Sequence, residues 1–408
     1  MTLNRYHVAH YIVLMFFKFL WSALRMLTLP FKPYSNLSYG MQGSMMEVLP
    51  GFGGSGQGSG QTALALNTFN GNLFIKTNAL LIEELGGTID LSYCYNSLVP
   101  TDSAQWHLSC VSQIIEQSQD VLMILEADGS RVEYRLVADE RNKFYAPKNT
   151  PHAGAVCIKQ DSGSFIWYEP SSGNTREYGR KGTLLKTVNV KGHCLRYVHK
   201  YNPQIKQHQL VSIEASSGNQ YCFSWESNAC EISLKEINSQ TFEPLVEYTF
   251  TDNTHRYLSS SEIIRGSNRY SEDFSYENAL LKSISQQDGT LISFELSKAH
   301  QLKKISFEDR ATYVMSSPIF NEVIDDNAPS APPLPEAPFI IKVESNFNEA
   351  GIIFTHDESG RYESVSSLNE PHAPQTEALS FAWDFIPGEL EHHMHQRHIK
   401  KIIHTDGS

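Results

Sequence analysis

Apolar and polar residues alternate with a period of two along most of the chain. In TIDLSYCYNS (residues 88–97), Ile89, Leu91, Tyr93 and Tyr95 alternate with Asp90, Ser92 and Cys94; in SRVEYRL, Val132, Tyr134 and Leu136 oppose Arg131, Glu133 and Arg135. That period belongs to a β-strand with one buried face. Turn signals punctuate the alternation at Asp128-Gly129, Ser162-Gly163, Ser172-Gly173, Ser217-Gly218, Asp288-Gly289, Ser359-Gly360 and Asp406-Gly407. Past Phe31 no long stretch keeps a helical period. The pattern predicts an all-β body of short strands joined by tight turns.

The strands recur as one sentence in near-synonyms: LLKTVNVKGHCLRYV, QLVSIEASSGNQYCFSW, LLKSISQQDGTLISFEL, QLKKISFEDRATYVM and a clipped HIKKIIHTDGS. Each opens on an aliphatic pair three apart, at Leu185/Val188, Leu210/Ile213, Leu281/Ile284, Leu302/Ile305 and Ile399/Ile402. A turn glycine follows at Gly192, Gly218, Gly289 and Gly407, with Arg310 in its place in the fourth copy, and an aromatic lies beyond it at Tyr197, Phe223 and Phe294. The sentence is a β-hairpin. A lone hairpin is marginal in water, so repeating it lets each copy pair with the next, and the expected architecture is an extended curled sheet of antiparallel hairpins, solenoid-like or shell-like. The chain stops at a turn, before any outgoing strand, so the repeat array is expected to be incomplete.

Upstream halves of the unit stand in EDFSYENALLKSI, with Phe274 and Tyr276 before a turn at residues 277–279, and in REYGRKGTLLKTV, with Tyr178 and Gly182. The order of aromatic, turn, aliphatic pair, turn glycine and aromatic resembles the RHS or YD-repeat family, which includes shell components of bacterial toxin complexes and teneurin ectodomains. Family copies read Tyr-x-Tyr-Asp-x-x-Gly-Arg-Leu; here Glu277 stands for the Asp and Asn278-Ala279 for the Gly-Arg. Residues 67–97 look like the family's entry module, and QWHLSC (residues 105–110) resembles its Gly-Trp-x-Leu strand with Gln105 for the glycine. The likeness spans roughly residues 67–317. It implies a shell that encloses or presents a toxin or effector polypeptide. The partner would be that protein cargo or a missing C-terminal toxin or shell segment, at a secreted or cell-surface location. Complete shells of this kind usually carry a self-cleaving aspartic protease with an Asp-Pro-x-Gly motif; no Asp-Pro dipeptide occurs here.

Composition shifts divide the chain. Residues 1–40 form a hydrophobic leader in which Lys18 and Arg25 interrupt the apolar run 11–31. It reads as a signal-anchor, an amphipathic segment or an extension outside the folded body, which leaves membrane association through residues 11–31 open. Residues 41–61 read as a Gly/Ser linker. Its G-x-G-x-x-G at Gly51, Gly53 and Gly56 follows Pro50 rather than a hydrophobic strand, so it is no dinucleotide loop. An entry module over 62–127, hairpin repeats over 128–318, a Pro-rich acidic insert over 319–338 and degenerate repeats over 339–408 complete the division.

The 408 residues are 40% hydrophobic and 19% charged, enough apolar material for a large core. A formal net charge of -12 with no basic stripe argues against binding nucleic acid through its phosphates. Six cysteines without C-x-x-C spacing give neither a zinc knuckle nor a thioredoxin-like pair, and are expected as reduced, partly buried thiols. No G-x-S-x-G, Walker loop or H-E-x-x-H occurs, and His193-Cys194, adjacent on a strand, would point to opposite faces. A non-enzymatic protein without catalytic residues or cofactor is expected. The weak metal candidates are His392, His393, His395 and His398, where strand or helix geometry would pair two imidazoles and Glu389 or Glu391 would add an oxygen. An alternative to the scaffold is a surface module that grips carbohydrate or a host receptor through Trp167, Tyr168, Tyr221 and Trp225, although alternating strand positions favour core packing for them. A degenerate gene remnant is a further alternative.

Overall fold

The computed structural model describes the strand Met45–Leu49, most of residues 63–316, and the later strands Phe339–Ser345, Glu349–His356, Tyr362–Asn369, Thr376–Trp383 and Ile399–His404. The four candidate histidines between 392 and 398 lie outside the described residues. The chain is all-β, with no helix among the described residues.

Two layers build it. From Gln113–Glu116 to Ile399–His404, each strand pairs antiparallel with the next in sequence, giving one long sheet of hairpins. The sheet curls back on itself where Gln113 bridges Thr183 and the Ile114 amide donates to the Gly182 carbonyl at 2.8 Å. Its end strands share no ladder among the described residues, so it is curled rather than closed. The strands on either side of the Pro-rich stretch, Ala311–Ser316 and Phe339–Ser345, are direct antiparallel neighbours. Inside the curl lies a second sheet in the order Met45–Leu49, Ala63–Asn67, Leu73–Lys76, Tyr93–Asn96 and Trp106–Leu108, with the hairpin Leu81–Glu84/Gly87–Asp90 projecting from it.

Two local readings are corrected by the pairing. Met45–Leu49 lies in the segment read as linker, yet MMEVL has no glycine or proline to interrupt pairing, and it forms the edge of the inner sheet. Residues 88–97 form two strands, Gly87–Asp90 and Tyr93–Asn96, and the second is buried on both faces because the inner sheet is covered on both sides. Period-two alternation cannot announce a doubly covered strand.

The aliphatic pairs spaced by three pose a parity problem, since residues i and i+3 of a regular strand face opposite ways. The register resolves it with a repeated β-bulge. Leu281 pairs with Tyr276 and Ser283 with Ser275, which leaves Lys282 as the extra residue and turns Leu281 and Ile284 to the same inner face. The same step occurs at Val211 between Leu210 and Ile213, and at Lys303 between Leu302 and Ile305. It recurs at Lys400, where Ala382 pairs with Lys401 and Trp383 with Ile399. In the first copy it shifts by one. Leu184 pairs with Tyr178 and Lys186 with Glu177, so the inward pair is Leu184/Thr187, and Leu185, the bulged residue, is 44% exposed. Ser259, between the buried Leu258 and Ser261, reveals a copy that the sequence pattern hides. A bulge bends its strand and adds twist. Set at the same place in successive hairpins, it curls the sheet.

Candidate functional site

The concave face of the curl is the candidate site, and the chain's own inner sheet occupies much of it. Buried residues of both sheets form one core, in which Leu64, Leu73, Ile75, Tyr93 and Tyr95 meet Ile232, Tyr248, Phe250, Ile284 and Ile305. Tyr93 stands edge-on to Tyr248 at 4.7 Å between ring centres, and Trp106 edge-on to Phe274 at 5.0 Å. Such pairs contribute about 0.5–1.5 kcal/mol each beyond area burial. Polar ties fix the register between layers. The Trp106 indole N–H donates to the Tyr276 hydroxyl at 2.7 Å, the Tyr248 hydroxyl to the Leu91 carbonyl, and the Leu302 amide to the Gly71 carbonyl at 2.8 Å.

The projecting hairpin acts as a latch. The Glu84 carboxylate accepts from the Ser217 and Tyr221 hydroxyls, both at 2.6 Å, and from Asn219 Nδ2 at 2.9 Å. These donors hold the Glu84 carboxyl below its ordinary pKa even though burial works against them. Asn189 Nδ2 donates to the Leu85 carbonyl at 2.7 Å. Gly86 lies against the next hairpin so closely that a Cβ would sit 2.5 Å from the Cys194 carbonyl oxygen. Gly86→Ala is therefore expected to lift the latch and cost about 2 kcal/mol in a urea melt, with faster proteolysis of residues 81–90 than in the parent.

A buried polar cluster closes the first part of the sheet. Arg176 bonds Glu126 at 2.6 Å and lies over the Trp167 ring at 4.2 Å, while Trp167 Nε1 donates to the Tyr134 hydroxyl at 2.8 Å. Trp167 and Tyr221, offered above as surface aromatics, are buried; Trp225 is half-buried with its indole N–H on the Leu210 carbonyl, and only Tyr168 is exposed, at 39%. The six cysteines are free thiols, four of them buried. No group of three or more His, Cys, Asp or Glu side chains is placed to hold a metal among the described residues. No helix among them is long and apolar enough to cross a membrane. A cleft of about 470 Å³ of mixed character is lined by Glu277, Lys282, Glu295 and Lys304 together with Leu281 and Phe294.

His199 is the residue that sequence reading missed. In four other copies the position opposite the first aliphatic of the pair holds an aromatic: Tyr178 opposite Leu184, Phe250 opposite Leu258, Tyr276 opposite Leu281 and Trp383 opposite Ile399; opposite Leu302 it holds Leu296. Opposite Leu210 it holds His199, whose ring nitrogens are buried without a side-chain hydrogen-bond partner among the described residues. Burial pushes its pKa down to about 4, and the nearby His208 adds to the shift; burial likewise lowers His107 and His300. A histidine held below its ordinary 6.5 takes up its proton more readily in the unfolded chain. Its contribution is thus intact above pH 6.5 and is lost as pH falls toward about 4. His199→Phe, which restores the aromatic of the repeat, is expected to raise stability by about 1 kcal/mol at pH 7 and to flatten the acid limb of a stability–pH curve.

No family model matches this chain, and no curated protein matches it. Among solved structures it is similar to a porin-like protein from Bacteroides uniformis, at 9% identity and a TM-score of 0.26 over 48% of this chain and 92% of that one. It is also similar to TcdB2-TccC3-TEV, at 7% identity and a TM-score of 0.32, and to TcdB2-TccC3-Cdc42, at 8% and 0.33. Those matches cover 77% and 79% of this chain but 18% and 21% of the other chains, so it spans about a fifth of their length. At these scores the likenesses carry no argument about function.

Proposed function

We propose that the chain is a non-enzymatic structural scaffold, part of a β-hairpin shell of the RHS/YD-repeat kind that encloses or presents a polypeptide. The observation that supports this reading is the recurring bulge. It gives successive hairpins one inward apolar face and one sense of curl, which is the construction of a wall rather than of a catalytic pocket. The entry module fills the face between Leu184 and Ile305, and the ladder continues beyond it to His404, so the polypeptide would meet the later strands. The surface-module reading loses support from the burial of Trp167 and Tyr221.

The test is a protease-sensitive unstructured peptide fused after Ser408. The scaffold reading expects its cleavage to slow at least tenfold relative to the same peptide on an unrelated folded domain. Equal cleavage rates would contradict it.

A further inference from the structure

Alternate turns of an antiparallel hairpin series lie at the same end of the sheet. At one end the turns 189–192, 216–219 and 236–242 follow one another, joined by the tip of the inner hairpin. The contacts run continuously. Asn189 holds the Leu85 carbonyl, Ser217 and Asn219 hold Glu84, and the Ile237 side chain lies across Gly218. Lys235 lies over the Phe242 ring at 5.5 Å. This rim exposes Val190 at 74%, Ile237 at 64%, Leu85 at 53% and Phe242 at 53%, the most exposed large apolar side chains among the described residues. Turn tips are ordinarily polar, and a contiguous apolar patch rimmed by charge marks an association surface.

The charges select the occupant. At one end of the patch the exposed Lys191 follows Val190; at the other the exposed Glu236 precedes Ile237. A two-fold axis through the patch would set Lys191 of each copy toward Glu236 of the other while the apolar side chains meet between them, the self-complementarity that an isologous contact requires. A lipid surface would instead call for a predominance of cations, which neither the rim nor a chain of net charge -12 offers. We propose that this rim is a homodimer interface through which two copies of the chain join end to end.

The test measures the mass of the full chain by light scattering across a concentration series. The expected particle is twice 46.1 kDa, and Val190→Asp or Ile237→Asp returns it to 46.1 kDa with an unchanged β-sheet circular dichroism spectrum. Lys191→Glu and Glu236→Lys should each weaken the dimer at least tenfold, and the two together should restore it. A chain that stays at 46.1 kDa up to about 100 μM, or a dimer that survives both aspartates, would overturn the proposal. So would a monomer that co-sediments with phosphatidylcholine vesicles or is occupied by a different protein.

Discussion

Gly182→Ala is expected to destabilise the protein by about 3 kcal/mol or more, read as a lower urea midpoint at unchanged slope. Gly182 has φ +73, and a Cβ built on it would stand 1.7 Å from the Ile114 carbonyl oxygen. That is where the curled sheet meets its own beginning, with the Ile114 amide on the Gly182 carbonyl and Gln113 bridged to Thr183. Alanine must either leave the left-handed conformation or push Ile114 away, and both open the contact. Gly289→Ala separates the two causes. Gly289 also has a positive φ, of 87, but nothing lies within 4 Å of the added methyl, so backbone strain alone should cost about 1 kcal/mol. Equal losses at the two sites would show that the meeting point of the curl contributes nothing.

Deletion of Lys282 is expected to straighten its strand and cost about 2 kcal/mol, whereas Lys282→Ala stays within about 0.5 kcal/mol of the parent. The Lys282–Glu277 ion pair is exposed on both sides, so the side chain contributes little. The residue matters because it is the bulge. Without it, Leu281 and Ile284 stand two apart in a regular strand and still share the inner face, so what is lost is the bend and extra twist that the bulge gives the strand. The preceding turn, with Asn278 and Ala279 at φ 51 and 65, is already as tight as a hairpin permits and has no residue to give up. An alanine variant as damaged as the deletion would assign the effect to the lysine itself.

How far the sequence discloses this structure depends on whether a feature is local. Period-two alternation and turn glycines suffice for strands and hairpins, and Gly129, Gly163, Gly173, Gly192, Gly218 and Gly289 all take positive φ. The i/i+3 pairs are legible as a repeat, but not as bulges, because a bulge is a relation between two strands. For that reason Leu185/Val188 stands in the pattern where Leu184/Thr187 turns inward, and the Leu258/Ser261 copy, with a serine in place of the second aliphatic, escapes notice. Filling of the curl by the inner sheet and its hairpin is invisible in the pattern: the ties join residues far apart, such as Glu84 with Tyr221 and Trp106 with Tyr276. His199 is legible only in retrospect, once the register places it in an aromatic's position.

The central claim is that the hairpin sheet and the inner sheet are one folding unit, the outer layer curled on the inner. Hydrogen exchange of the full chain, resolved by peptide, tests this most directly. Paired amides of Leu73–Lys76 and Tyr93–Asn96 should exchange with the same protection as those of Glu243–Phe250 and Leu280–Gln286, and Gly182→Ala should lower all four together. An inner sheet that exchanges freely while the hairpins stay protected would contradict the account.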